Sequence, residues 1–291
     1  MAPNAAANDR MRYVSFYDGA GSVRPGILDG DVIYRIDCES MLEYLQLQPA
    51  ERIARHTAEQ IERSSVRLAA PVRPAKNIFC VGRNYLEHAK EGARASGREL
   101  KLPDVPTFFT KATTAIADPD STLQFDARVS AEMDWEGELG VVIGSSIRDA
   151  TEENAMSAVF GYTCVNDITA RDLQRAHLQW FKGKSLDKSC PIGPWIAGAD
   201  EIADPHKLLL TLRVNGSRKQ EADTGQMIFK IPRLIAELSK GMTLEPGDVI
   251  ATGTPDGVGF ARNPPEFFRD GDIVELAIQK IGTLLNTIRI L

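Results

Sequence analysis

Residues 133–144 read MDWEGELGVVIG. Side chains on a strand alternate faces, so Asp134, Glu136 and Glu138 share one face, each about 6.5–7 Å from the next. The stretch then runs into the apolar residues Leu139–Ile143, which predicts a buried strand rather than a solvated one. Two carboxylates at that spacing repel by about 2–2.5 kcal/mol at an effective dielectric near 20, so acids on the inner end of such a strand need a cation. Gly137 between them leaves room for a close approach. About thirty residues on, the strand YTCVND (162–167) ends at Asn166-Asp167. With Glu136 and Glu138, Asp167 supplies three carboxylate oxygens, a donor set for Mg2+ or Mn2+ with positions left for water and substrate. Glu136→Ala is then expected to abolish activity and weaken metal binding while leaving the protein folded, and to relieve repulsion in the metal-free protein.

Working outward, residues 11–35 alternate around Gly and Pro turns and predict a small antiparallel unit. Residues 39–63 carry Met41, Leu42, Tyr44, Leu45, Leu47, Ile53 and Ile61 at helical spacing. LAAPVRPAK (68–76) reads as a linker, which divides the chain into a tail (1–10, disordered), a small N-terminal α+β domain (11–70) and a larger domain (71–291). In the larger domain NIFCVG (77–82) and VPTFFTK (105–111) read as strands. TEENAMSAVFG (151–161) reads as a helix capped by Thr151, and IPRLIAELSKG (231–241) as another helix. Asn84 with Glu87, and Thr169 with Asp172, have cap-box spacing and predict helix starts at Tyr85 and near Ala170. Many strands with few helices make this an α+β chain.

Composition narrows the function. The chain has 291 residues, 43% of them hydrophobic and 25% charged, the balance of a folded globular protein. Against 34 Lys and Arg stand 40 Asp and Glu, a net charge of −6, which gives no general attraction to nucleic acid or anionic membranes. No apolar run approaches the roughly 18 residues that span a bilayer, and MAPNAAANDR lacks the apolar core of a secretion signal. Cys38, Cys80, Cys164 and Cys190 form no CxxC, as expected of reduced thiols in the cytoplasm. His56, His88, His177 and His206 form no HExxH, so the expected metal is hard and oxygen-bound.

Other residues gather around that metal. His88 and Glu91 are i, i+3 on the helix after Asn84, so the carboxylate can orient the imidazole as a general base. The following GARASGREL has few apolar anchors, and residues 86–104 are expected to form a mobile lid. Lys111, Arg171 and Lys184 are candidate cations, and Gln174 lies i+3 from Arg171. The turn GTPDGVG (253–259) offers backbone N–H groups that could hold a carboxylate. Gly183-Lys184-Ser185 imitates the end of a phosphate loop, but Leu178 stands at its first glycine position; Gly257-Val-Gly259 is followed by Arg262 where a dinucleotide loop needs glycine.

The ordered blocks VGRNYLEHAKE (81–91), PTFFTK (106–111), DWEGELGVVIG (134–144), GYTCVNDITARDLQ (161–174), FKGKSLDKSCPIGPW (181–195), VNGSRKQ (214–220) and LEPGDVIATGTPDGVG (244–259) resemble the fumarylacetoacetate hydrolase family over about residues 77–291. The resemblance implies a mixed β-roll or β-sandwich core and a homodimer. It implies Mg2+ or Mn2+, with Ca2+ able to stand in for them in crystals, held by Glu136, Glu138 and Asp167. It also implies an HxxE pair at His88 and Glu91, an active-site Lys184, and substrate-side Lys111, Arg171, Gln174, Gly253 and Thr254. The fourth, upstream acidic ligand of the animal fumarylacetoacetate hydrolases has no match here. The shorter bacterial-type members that carry HxxE act on acylpyruvates or oxaloacetate, or isomerise diene-dioates. The leading expectation is hydrolysis of a C–C bond in a 1,3-diketo acid such as an acylpyruvate or fumarylpyruvate. The alternative is oxaloacetate decarboxylation or 2-hydroxyhepta-2,4-diene-1,7-dioate isomerisation by the same metal–enolate chemistry.

Overall fold

The computed structural model describes residues 11–95, 97 and 99–291; the N-terminal tail 1–10, and Ser96 and Arg98 of the expected lid, lie outside the described residues. Gly137–Ile143 is buried at every position and lies between Val159–Asn166 and Val249–Ala251, antiparallel to both. Its two faces meet different cores. Leu139, Val141 and Ile143 pack with Leu210, Leu212, Val274, Leu276 and Leu284 of a second sheet, while Val142 packs with Cys80, Val165, Ile192 and Val249. Burial on both faces is why this strand reads as a continuous apolar run instead of alternating.

The first sheet has twelve strands and the second five, with Ser217–Asp223, Leu209–Val214, Ile273–Ile278, Gly282–Ile290 and Thr122–Phe125 in that order. Together with few helices they make the α+β sandwich expected of the sequence. At Gly137 the second sheet packs closely against the first. A Cβ there would lie 2.7 Å from Leu276 Cδ1 and 3.2 Å from Leu212 Cδ1, so the close approach anticipated at this glycine is that of the second sheet, not of a ligand.

The N-terminal strands Arg12–Tyr17, Val23–Asp29 and Val32–Ile36 form the predicted antiparallel unit and extend the large sheet, Arg12–Tyr17 pairing with Cys190–Gly198. Residues 68–76 are more than a linker: Leu68–Ala69 pairs with Arg12–Tyr17, and the Ala70 N–H donates to Asp118. The helical reading of 39–63 gives two short helices, Met41–Gln46 and Pro49–Ala54, then a strand, His56–Glu62. The residue before a proline is disfavoured in a helix, so the first helix stops ahead of Pro49. The strand is fixed by pairing with Val32–Ile36 and by Thr57 Oγ1 donating to the Arg35 carbonyl.

The helix expected over 151–161 is a 3-10 turn, Ala155–Ala158, followed directly by the strand Val159–Asn166. Tertiary pairing overrides the local signal there: a Cβ on Gly161 would sit 2.2 Å from the Ala197 carbonyl, a contact only a glycine in a paired strand permits. Neither expected cap box forms. The Asn84 carboxamide instead clamps Phe229 and Thr252, and Asp172 accepts from Ser130 Oγ. The helices nonetheless start close to the expected positions, at Leu86 and Arg171. The helix Ile231–Ser239 forms as expected.

Candidate active site

The acids come together through strand register. Gly137 pairs with Asn166, the Asp167 N–H donates to the Glu136 carbonyl at 2.8 Å, and the Glu136 N–H donates to Asn166 Oδ1 at 3.1 Å. A residue some thirty positions downstream therefore lies beside Glu136. The carboxylates of Glu136, Glu138 and Asp167 each offer an oxygen within 4.8 Å of the others, and all three residues are buried. Asp134, placed on the same face by alternation, does not join them. The strand is interrupted at Trp135-Glu136, because Met133–Asp134 pairs separately with Thr169–Ala170.

Three cations fill the space between the acids. Lys111 Nζ donates to Asp167 Oδ1 at 2.8 Å and to the Ile168 carbonyl at 3.0 Å. Lys184 Nζ donates to Asp167 Oδ2 at 2.6 Å and to Glu136 Oε2 at 2.7 Å. Arg171 donates from Nε to Asp134 Oδ2 at 2.8 Å and from NH1 to Gln174 Oε1 at 3.1 Å, and places NH2 2.7 Å from Glu136 Oε1. All three are buried. The repulsion expected between bare acids is thus answered by the chain's own charges, which changes the expected outcome of removing Glu136.

Lys184 stands at the end of a short helix, Phe181–Lys184, pressed against the helix Arg171–Ala176. Gly183 makes that possible: a Cβ there would lie 2.6 Å from the Gln174 nitrogen and 2.8 Å from the Ala170 carbonyl, both backbone atoms that cannot swing aside. Gly183→Ala is therefore expected to destabilise the fold by about 1–3 kcal/mol, the usual cost of overpacking. Denaturant unfolding checks this, and an unchanged midpoint would show that the two helices have slack.

His88 is buried on the helix Leu86–Ala95, with Nδ1 2.9 Å from Glu91 Oε1. Glu91 Oε2 accepts the Gly257 N–H at 2.9 Å, which ties the helix to the turn beyond Thr254. An ionised carboxylate only accepts hydrogen bonds, so Nδ1 carries the hydrogen and Nε2 keeps a lone pair. When protonated, as an imidazolium, His88 would help lower the Glu136 carboxyl.

The remaining expected residues hold the acids from behind. The Gly253 N–H donates to Glu138 Oε2 at 2.7 Å. Thr254 Oγ1 donates to the Gly137 carbonyl at 3.0 Å and accepts from Gln220 Nε2 at 2.8 Å. Gln220, whose Oε1 also accepts the Gly137 N–H at 2.9 Å, carried no signal as an isolated strand glutamine. Phe109 and Trp180 were likewise missed. Their rings meet edge to face at 5.3 Å, and Phe109 lies 4.9 Å from Lys184 Nζ.

Burial works to raise Glu136, but Lys184 and Arg171 outweigh it and hold this carboxyl below the usual range. Burial raises Glu138 well above that range, and Asp167 and Glu136 add to the effect. The donor set fits a hard divalent ion: oxygens around one centre at about 2.0–2.6 Å lie at most about 4–5 Å apart, the spacing found here. Mg2+ or Mn2+ would be held by Glu136, Glu138 and Asp167. Because binding needs the Glu138 carboxylate, whose ionisation burial disfavours, it should release a proton, and affinity should rise as pH climbs through and above the usual carboxylate range. Calorimetry in buffers of different ionisation enthalpy measures that proton; affinity flat across the range would mean that Glu138 is already ionised.

The family model for the fumarylacetoacetate (FAA) hydrolase C-terminal region matches residues 77–289, which contain every residue of the candidate site. The chain belongs to the fumarylacetoacetate hydrolase family. Its relatives include the oxaloacetate tautomerase YisK of Bacillus subtilis (strain 168), 49% identical over 226 residues, 77% of this chain and 74% of that protein. Among solved structures, the fumarylacetoacetate hydrolase EaFAH of the psychrophilic Exiguobacterium antarcticum superposes with a TM-score of 0.83 at 38% identity, over 97% of this chain and 100% of that one. The 5-carboxymethyl-2-hydroxymuconate delta-isomerase of Mycobacterium smegmatis superposes with a TM-score of 0.81 at 34% identity, over 97% and 100%. Among the described residues, no helix is long and apolar enough to cross a membrane.

Proposed function

We propose that this protein interconverts the keto and enol forms of a 2-oxo dicarboxylic acid of the oxaloacetate type. The observation that carries the reading is a buried His–Glu pair beside a divalent-ion seat, in a chain 49% identical to an oxaloacetate tautomerase. When bound, the divalent ion supplies Lewis-acid polarisation of the substrate's 2-oxo group.

The chain's own residues do the rest. His88 Nε2 accepts the proton from C3 of the keto form, and Glu91 stabilises the imidazolium through Nδ1–H. Lys184, its charge kept by two carboxylates, stabilises the negative charge that develops on the 2-oxygen. Passage of that proton from the imidazolium to the 2-oxygen completes the enol, and its removal from the oxygen and return to C3 regenerate the keto form. Glu136, Glu138, Asp167, Asp134 and Glu91 outnumber the cations Lys111, Lys184 and Arg171 by two, so a divalent ion brings the site to neutrality and lets a dianionic substrate enter without net repulsion.

This reading is nearer the alternative, oxaloacetate decarboxylation or diene-dioate isomerisation through the same enolate chemistry, than C–C hydrolysis, which asks the same base to activate a water; keto–enol conversion of oxaloacetate itself is not among the activities expected from the sequence. A second reading, isomerisation of a longer unsaturated diacid, uses the same proton transfer over an extended conjugated system. The likeness to the hydroxymuconate isomerase over 97% of the chain supports it. A substrate panel with and without EDTA separates these: ultraviolet change alone marks tautomerisation or isomerisation, pyruvate release without CO2 marks hydrolysis, and pyruvate released together with CO2 marks decarboxylation. The same proposal includes a homodimer, checked by light scattering at micromolar concentration; a monomer would remove that part.

A further inference from the structure

We infer that Asp134 is a positioning residue that aims Arg171 into the active site and ties it to the helix carrying His88. Asp134 is fully buried, and every bond it makes is internal. Oδ1 accepts the N–H groups of Trp135 at 2.8 Å and Gly259 at 2.7 Å; Oδ2 accepts the Phe260 N–H at 3.1 Å and Arg171 Nε at 2.8 Å. With four donors on two oxygens, it serves the site through Arg171 rather than as a metal ligand.

Two of those donors belong to the turn Gly259–Ala261. Gly259 has no room for a side chain: a Cβ would lie 2.0 Å from the Glu266 carbonyl and 2.7 Å from Asp134 Oδ1. The turn therefore brings its N–H groups right up to the carboxylate. The next residue, Phe260, lays its ring over the Arg171 guanidinium at 4.4 Å, and its Cζ lies 3.9 Å from where a Cβ on Gly92 of the His88 helix would sit. Arg171 is clamped along its Nε edge by Asp134, over its face by Phe260 and at NH1 by Gln174. Its NH2 lies 2.7 Å from Glu136 Oε1 but outside hydrogen-bonding geometry, and among the described residues it has no hydrogen-bond acceptor. A planar guanidinium fixed on one edge presents the other in a set direction, the arrangement that recognises a carboxylate. The outer edge of Arg171, with NH1 on Gln174 and NH2 beside Glu136 but outside hydrogen-bonding geometry, is thus held next to the ion seat, where a substrate carboxylate can take up NH2. The clamp couples that edge to the turn on which the His88 helix rests.

The assignment rests on the proposed reaction only for the substrate's carboxylate, and the test separates the two. Oxalate is the probe, with Mn2+ present, and binding is read by calorimetry. Asp134→Asn keeps the shape but removes the charge that holds Nε. It should weaken oxalate about 10–100-fold, the effect of losing one charge-assisted bond, and leave Mn2+ affinity within about threefold. In an Arg171→Ala background it should cost nothing further. Phe260→Ala, which leaves Asp134 in place, should weaken oxalate in the wild-type background and not in Arg171→Ala, and it decides the matter if Asp134→Asn does not fold. Wild-type protein that fails to bind oxalate, variants that lose Mn2+ and oxalate together, or full additivity with Arg171→Ala would each overturn the assignment. Wild-type protein that binds oxalate but leaves oxaloacetate untouched would remove the proposed reaction and leave the clamp standing.

Discussion

Glu136→Ala is expected to lose both divalent-ion binding and activity, and to destabilise the metal-free protein by about 3–5 kcal/mol, the cost of breaking a buried ion pair from one side. The sign is the informative part. From the sequence alone, removing one acid of a crowded set should relieve repulsion. In the structure Glu136 accepts from Lys184 at 2.7 Å and faces Arg171 at the same distance, so its loss leaves two buried cations short of a partner. Glu138 is the contrast. Its one hydrogen bond comes from the Gly253 N–H, and burial beside Asp167 and Glu136 pushes its carboxyl up. Glu138→Gln should therefore cost the metal-free protein little while still abolishing ion binding. Denaturant unfolding in EDTA measures both. A Glu136→Ala protein more stable than wild type would mean that Lys184 and Arg171 find other partners and that the charge balance drawn here is wrong.

His88→Ala is expected to lower kcat for enol–keto conversion by about 10²–10⁴, the range for losing a general acid–base group. Mn2+ affinity should be unchanged, because His88 bonds to Glu91 and not to the acid cluster's ion seat. Glu91→Gln should have a smaller effect on kcat: the amide oxygen can still accept from Nδ1 or from Gly257, but it no longer stabilises an imidazolium. Steady-state kinetics on the enol form, with Mn2+ titrations of each variant, test the pair. A His88→Ala protein with wild-type kcat would move proton transfer to Lys184 or Lys111 and leave the histidine a packing role.

The residues that gather at the candidate site were more legible in the sequence than the secondary structure around them. Glu136 and Glu138 were readable because strand alternation is local, and the step into Leu139–Ile143 marks burial. The i, i+3 spacing of His88 and Glu91 depends only on a helix existing, and it survives even though Asn84 is no cap. Asp167 could be proposed but not placed, because its position depends on the Gly137–Asn166 register, a long-range pairing. The same dependence explains the misread elements. Residues 56–62 and 159–161 are strand because partner strands claim them, and Gly161 sits flush against Ala197 for a reason written elsewhere in the chain. Asp134 was the most misleading residue. Alternation placed it with the metal-site acids, and only the break at Trp135-Glu136 turns it toward Arg171.

The most direct test of the central claim follows the ultraviolet decay of enol-oxaloacetate in weakly buffering medium with the Mn2+-loaded protein, the EDTA-treated protein and His88→Ala, while pyruvate and CO2 are measured in the same samples. The account predicts decay far above the buffer rate for the loaded wild type, close to the buffer rate for the other two, and no matching release of pyruvate or CO2. Enol decay at the buffer rate with loaded wild-type protein that cleaves acylpyruvates to pyruvate would contradict it and return the site to hydrolysis.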